Sequence, residues 1–282
     1  MDKKIPEEEK ADKLYFTISR EIEKGWMDTV LTQLGRLEKM EGETPRVLDL
    51  KGYIATSQGD YSRAEALLRE ACRQKPGSRR FRLNLGNLYM AMEEWSKAVE
   101  TFEGILRDNP GFYPVLNNLT MTLFKMGEWE KTISYIEEMK KLRSLSPVPY
   151  RLEALYYYNR GDYEKALQAA DKNISLDPDN PLTFTTLAQI FNALERYKDT
   201  AVAYEKAHEL NPGDMDILTG LAIAYGNMER FDLAGEIFLK VIKSQPNNGT
   251  AHKGLALYYQ LMGDDEKHSY HKETARVLGQ DV

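Results

Sequence analysis

The sequence lacks most of what would mark an enzyme, a membrane protein or a secreted protein. Its 282 residues include one cysteine, Cys72, so no disulfide can close within the chain, and the reducing cytoplasm is the expected compartment. No run approaches the roughly 20 apolar residues that a membrane span requires. The charged stretch 1–10 is followed by no apolar core and does not read as a secretory signal. A basic excess is also missing: 38 Lys and Arg stand against 44 Asp and Glu, a net charge of −6, which argues against a nucleic-acid surface. Gly-x-Gly-x-x-Gly and Walker-type loops are absent, so no nucleotide cofactor is predicted.

Chemistry-bearing side chains are few. There are four histidines. Asp264, Asp265, His268 and His271 lie close together, with the three- and four-residue spacings of a weak divalent-metal site. No sulfur or firmly placed third ligand accompanies them, and an acidic first turn suits a solvated helix start through the helix dipole. Neither a metal site nor a catalytic residue is predicted. Cys72 reads as a small packing residue. Glu137, Glu138, Glu205 and Glu209 read as solubilising charge on outward faces.

What is present is a period. Pro76, Pro110, Pro178, Pro212 and Pro246 are separated by 34, 68, 34 and 34 residues, each after an apolar helical pattern. Proline suits the turn after a helix because it cannot continue the hydrogen-bond ladder. With those prolines at position 32, eight units run without insertion: 11–44, 45–78, 79–112, 113–146, 147–180, 181–214, 215–248 and 249–282. Residues 1–10 are left as a charged N-terminal tail.

The columns are physically coherent. Small residues dominate position 8 (Gly52, Gly86, Ala154, Ala188, Ala222, Ala256) and position 20 (Ala64, Ala98, Ala166, Ala234), which lets two helices of one unit approach closely. Large rings occupy position 17 (Tyr61, Trp95, Trp129, Tyr163, Tyr197, Phe231), beside the turn. Positions 20, 24 and 27 share a helical face. Position 15, between the helices, holds Gly25, Gly59, Gly127, Gly161 and Gly263, with Glu93, Glu195 and Glu229 in the other units; glycine there suits a left-handed helix end. The pattern decays at both ends, with Thr17 and Glu21 at positions 7 and 11 of the first unit and Asp265, His268 and Lys272 in the last. Terminal repeats need a polar outer face, so the first and last units are expected to be caps and the array to be complete. Ala170 and Asn173 mark the second helix of the fifth unit as the place where least is buried.

These columns resemble the tetratricopeptide repeat family, a 34-residue helix–turn–helix repeat. Leu85, Gly86, Tyr89, Ala98, Phe102 and Pro110 of 79–112 carry the likeness most fully, and it extends over 11–282. The resemblance implies an all-α, right-handed superhelical solenoid whose first helices line a concave groove through positions 2, 5, 6, 9, 12 and 13. It implies protein binding and specifies nothing more of function.

Those positions give a polar set. The third unit offers Arg80, Asn84 and Asn87. The fourth offers Asn117, Asn118, Met121 and Lys125, and the fifth Arg151, Leu155, Tyr158 and Asn159. Gln189 and Asn192 follow in the sixth unit and Asn227 in the seventh. Asparagine carries both a donor and an acceptor, so a row of them suits an extended peptide main chain. Asn84 and Asn118 share position 6 and are expected to form two rungs of a ladder, free of core contacts. Of the Tyr156–Tyr157–Tyr158 run, only Tyr158 is expected to face the groove. The cations of the carboxylate clamp found in some family members are replaced by Leu83, Val148 and Leu152, which argues against chaperone-tail capture.

Charge varies along the chain: net −3 for 1–44, +2 for 45–112, −1 for 113–180 and −4 for 181–282. An acidic or phosphorylated ligand would prefer the basic part around Arg73, Lys75, Arg79, Arg80 and Arg82. The function expected is a non-catalytic adaptor or scaffold, with a protein or peptide segment in the groove and assembly into a multi-protein complex. The alternatives are a peptide-responsive regulator and the substrate-docking subunit of an enzyme.

Overall fold

The computed structural model describes residues 7–23 and 26–281. Among the described residues there are sixteen α-helices and no strand: α1 (Glu7–Glu23), α2 (Met27–Glu41), α3 (Pro45–Ser57), α4 (Tyr61–Gln74), α5 (Arg79–Ala91), α6 (Trp95–Asp108), α7 (Tyr113–Met126), α8 (Trp129–Leu142), α9 (Val148–Asn159), α10 (Tyr163–Leu176), α11 (Pro181–Ala193), α12 (Tyr197–Leu210), α13 (Met215–Asn227), α14 (Phe231–Ser244), α15 (Gly249–Met262) and α16 (Asp265–Val277). The chain divides into two compact units, Met1–Tyr135 and Ile136–Val282. Apart from α8, which spans the division, the helices within each unit pair two by two, and the second helix of a pair packs on the first helix of the next. This is an all-α solenoid built from 34-residue helix–turn–helix repeats.

The local chemistry explains the register. Every second helix begins at position 17, and three are capped by the residue before it: Asp60, Asp162 and Asp264 accept from the backbone N–H of Arg63, Lys165 and Lys267. Position 15 is left-handed in every described repeat. Gly59, Gly127, Gly161 and Gly263 take φ of 72–77°, as the sequence predicts. Glu93, Glu195 and Glu229 take φ of 57–60° despite carrying a Cβ, so the hairpin geometry overrides the local preference at those sites. Gly25 lies outside the described residues, as do residues 1–6 of the expected tail. Residues 7–10 open α1.

The core is a chain of local clusters. Val30, Leu34 and Leu37 pack with Ile18, Val47 and Leu50 in the first unit. Phe238 and Val241 pack with Leu218, Leu221 and Leu255 in the second. In four repeats the position-24 side chain is large and a glycine makes room for it. In the first unit a Cβ on Gly52 would lie 2.6 Å from Leu68 Cγ, and one on Gly86 would overlap the Phe102 ring. In the second unit a Cβ on Gly220 would overlap the Tyr204 ring, and one on Gly254 the Phe238 ring.

Two expectations about packing are corrected. Ala170 and Asn173 are both 1% exposed, so α10 does not leave its face open. Asn173 instead accepts from Thr183 Oγ1 (2.8 Å) and donates to the Pro147 carbonyl (3.3 Å), which satisfies it in the core. The alanines around it leave volume that Tyr157, Tyr158 and Tyr163 fill. In the first repeat Glu21 does not form an outer polar face. It is buried, and its Oε2 has no partner among the described residues.

Candidate binding surface

In the first unit the first helices α3, α5 and α7 bring the predicted polar residues together, though not as a row of free amides. Asp49 on α3 is 0% exposed. It accepts from Arg80 Nε at 3.1 Å and from Asn84 Nδ2 at 2.8 Å. The Arg80 guanidinium lies 4.7 Å from the Tyr15 ring centroid, a cation–π arrangement, and the Tyr15 hydroxyl is pushed up to about 12, chiefly by burial. Burial also raises the Asp49 carboxyl above its usual range, against the lowering effect of Asn84 and Arg80. Arg80 and Asn84 are therefore committed within the protein. The expectation that Asn84 supports no internal contact is overturned, as is the two-rung ladder: Asn84 turns toward the Asp49 carboxylate, the stronger acceptor, and Asn118 pairs elsewhere.

Asn118 Nδ2 donates to Asn87 Oδ1 at 2.7 Å, and Asn117 Nδ2 donates to Asn118 Oδ1 at 3.1 Å. The relay joins α5 to α7 and has two open ends. One is the Asn87 amide nitrogen. The other is Asn117 Oδ1, which is buried without a hydrogen-bond partner. Such an acceptor costs roughly 1–3 kcal/mol until something donates to it. Met121 is half-buried and Lys125 exposed on the same helix.

In the second unit the predicted residues are looser. Arg151 is half-buried, burial alone pulls its guanidinium below the usual range, and no carboxylate pairs with it among the described residues. Leu155 is half-buried, while Asn159 is exposed and donates to the Leu155 carbonyl at 2.9 Å. Tyr158 is a correction: it packs on the Ala154–Ala166–Ala170 cluster beside Tyr163, because small residues at positions 8, 20 and 24 leave it a seat. Gln189, Asn192 and Asn227 are exposed, with a single long bond of 3.4 Å from Asn227 to Asn192.

Two groups escaped the sequence pattern. Asp49 is the node of the polar cluster, and its signal was an acid in a column otherwise holding Leu83, Asn117, Arg151, Thr185, Thr219 and Lys253. Ile223, Leu257 and Leu261, at positions 9 and 13 of α13 and α15, are 39–53% exposed, so the same face of the second unit is apolar toward its end. Asp264, His268 and His271 do not converge. Asp264 caps α16, His268 Nδ1 meets the Ala256 carbonyl at 2.9 Å, and His271 turns inward, its Nδ1 2.9 Å from His252 Nδ1. Cys72 packs against Leu48, Ala71 and Phe81. No helix among the described residues is long and apolar enough to cross a membrane.

Comparison with known proteins points one way. The tetratricopeptide repeat family model matches residues 55–120, and the model for the N-terminal TPR repeats region of Psidin matches residues 150–268. No curated protein matches the sequence. Among solved structures, a chain of the APC/C hetero-tetramer Cut9–Hcn1 is similar over 97% of this chain and 52% of its own, at 18% identity and a TM-score of 0.71; this chain thus spans about half of that one. A tetratricopeptide repeat protein from Parabacteroides merdae ATCC 43184 is similar over 85% of this chain and 95% of its own, at 18% identity and a TM-score of 0.64. YrrB, described as a TPR protein with an unusual peptide-binding site, is similar over 65% of this chain and 94% of its own, at 20% identity and a TM-score of 0.51. At such identities the likeness is one of fold.

Proposed function

This chain belongs to the tetratricopeptide repeat family, and we propose that it is a non-catalytic adaptor that holds an extended segment of a partner protein against its first helices. The fold generally serves protein–protein interaction, and the peptide-binding site described for YrrB shows a use to which a similar fold is put. The observation that carries the reading is the Asn117–Asn118–Asn87 relay with its unspent ends. A peptide group presents one donor and one acceptor. Asn87 Nδ2 would donate to a ligand carbonyl, and the Asn117 side chain would turn to bring its buried Oδ1 to a ligand N–H, so affinity would not depend on the ligand's side chains.

The experiment is site-specific photocrosslinking in cells of the source organism. A crosslinking residue at Met121, on α7, is expected to capture a discrete protein partner, and one at the exposed Glu130 on α8 is not. Asn87→Ala should weaken binding of that partner by roughly 1–3 kcal/mol with no loss of helicity. Capture from Glu130 alone would move the binding surface to the second helices.

A further inference from the structure

Away from the first-helix face, the first unit carries a groove of about 490 Å³ between α4 and α6, floored by α5. Four cations line it: Arg69 from α4, Arg82 from α5, and Lys97 and Arg107 from α6, against one lining acid, Glu100. Three of the cations also reach a rim carboxylate. Arg69 meets Glu65 at 2.9 Å, Arg82 meets Asp108 at 2.8 Å, and Lys97 meets Glu94. Each of these pairs has a well-exposed member, so each binds its partner weakly. No carboxylate pairs with Arg107 among the described residues.

The centre of the groove is less well balanced than its rim. Arg82 Nε is buried with no hydrogen-bond partner, and Arg82 Nη1 reaches the Gly104 carbonyl only at 3.5 Å. Arg107 folds back to the same turn, so that a Cβ on Gly104 would lie 3.4 Å from Arg107 Nη2. Two guanidinium groups thus meet at the Gly104 turn, Arg82 held by one exposed carboxylate and a long carbonyl contact, and Arg107 with no carboxylate partner among the described residues. Beyond Glu100 and the rim carboxylates, the two acidic groups of the lining stay neutral: burial pushes the Cys72 thiol up to about 11, and it raises the Tyr89 phenol, which accepts from Arg69 Nη2 at 3.1 Å. Two guanidinium groups at one turn, one of them held only by weak exposed contacts, match the several acceptor oxygens and double charge of a phosphate monoester better than they match a carboxylate.

We propose that this groove is a phosphoryl-binding site, in which Arg82 and Arg107 hold a phosphate monoester over Gly104 and Arg69 and Lys97 flank it. The site uses helix faces other than the asparagine relay and does not rest on it. The test is titration of the full chain with phenyl phosphate, a phosphoserine peptide and its unphosphorylated form, read by calorimetry and by the Gly104 amide resonance. Both phosphate esters are expected to bind and to shift Gly104. Arg107→Ala, which removes an exposed residue with no internal ion pair, should weaken them at least tenfold. Glu100→Gln should tighten them, and Lys75→Ala, an exposed cation outside the groove, should leave them unchanged. If the peptide binds more tightly than phenyl phosphate, the site serves a modified protein segment; if phenyl phosphate binds as well, it serves a small phosphate ester, and both results support the proposal. Equal binding by the parent and Arg107→Ala, or by the unphosphorylated peptide, would overturn it.

Discussion

The two units seat the position-24 side chain differently. In the first, the position-24 side chains Leu68 and Phe102 press on glycine at position 8 of their own repeat, so each hairpin closes on itself. Cohesion between repeats is then partly polar: Asp49 with Arg80 and Asn84, and Asn118 with Asn87. In the second unit alanine fills position 8, and Tyr204 and Phe238 reach forward onto glycine at position 6 of the following repeat. There an apolar ring bridges the joint, helped by the buried Thr183–Asn173 bond and the Tyr225–Glu205 bond, and among the described residues the first-helix face of that unit keeps one side-chain bond between repeats, 3.4 Å from Asn227 to Asn192. The same column can thus lock a hairpin or stitch two together, depending on which neighbour lacks a Cβ.

The largest effect that would test this contrast comes from truncating the rings. Phe102→Ala and Phe238→Ala should each cost roughly 3–5 kcal/mol. Their footprints in hydrogen exchange should differ, with faster exchange confined to α5 and α6 in the first case and spread over α14 and α15 in the second. Identical one-repeat footprints would remove the distinction.

Next comes the polar link. Arg80→Ala leaves a fully buried carboxylate with only Asn84, and should destabilise the first unit by about 2–3 kcal/mol. Adding Asp49→Asn should recover most of that loss. Asn227→Ala, at the exposed pair of the second unit, should stay within about 0.5 kcal/mol of the parent in chemical denaturation. A large loss there would mean that the second unit also depends on its polar face.

Smaller still are the left-handed turns, which occur in both units. Glu93→Gly, Glu195→Gly and Glu229→Gly should each stabilise by about 1 kcal/mol, since glycine adopts positive φ without the Cβ penalty. Thermal melts of the three variants check this, and a loss of stability would show that the glutamate side chains make compensating contacts.

The last test is of slope with pH. The Asp49 carboxyl is raised in the folded state, so its stabilising contribution is full below the ordinary carboxylate value and is lost as pH rises through the raised one. Asp49→Asn should therefore gain on the parent between pH 4 and pH 7. His271 is lowered, first by burial and then by His252 and Lys267. Its contribution is full above the ordinary histidine value and fades as pH falls through the lowered one, so His271→Phe should flatten the acid limb. Melting temperatures across the range would show both, and parallel curves would contradict them.

The repeat was legible because it depends on local chemistry that recurs every 34 residues: a proline after the helix, a ring at position 17, a left-handed turn at position 15. What the register could not show was which side chains are already spent. Asp49 finds its partners 31 and 35 residues ahead, in a column with no common residue type, so nothing near it in sequence announces the pairing. Tyr158 was misplaced because its position was judged from the repeat average, whereas its seat depends on Ala170, the one alanine in the position-24 column. His271 was assigned to a solvated helix from its polarity, although a second imidazole on α15 gives it an internal partner. The glutamates at position 15 show the reverse case, where tertiary packing imposes a backbone shape that the residue itself resists.

The forward reach of Tyr204 and Phe238 bears on how such an array could be edited. Excising the repeat after Phe102 would leave that ring in its own bed, so the first unit has joints at which a single repeat could be deleted, duplicated or exchanged. Excising residues 249–282 would strip Phe238 of Gly254 and open the repeat before the cut as well. The second unit would have to be shortened or recombined in blocks, with each graft bringing its own glycine to receive the ring.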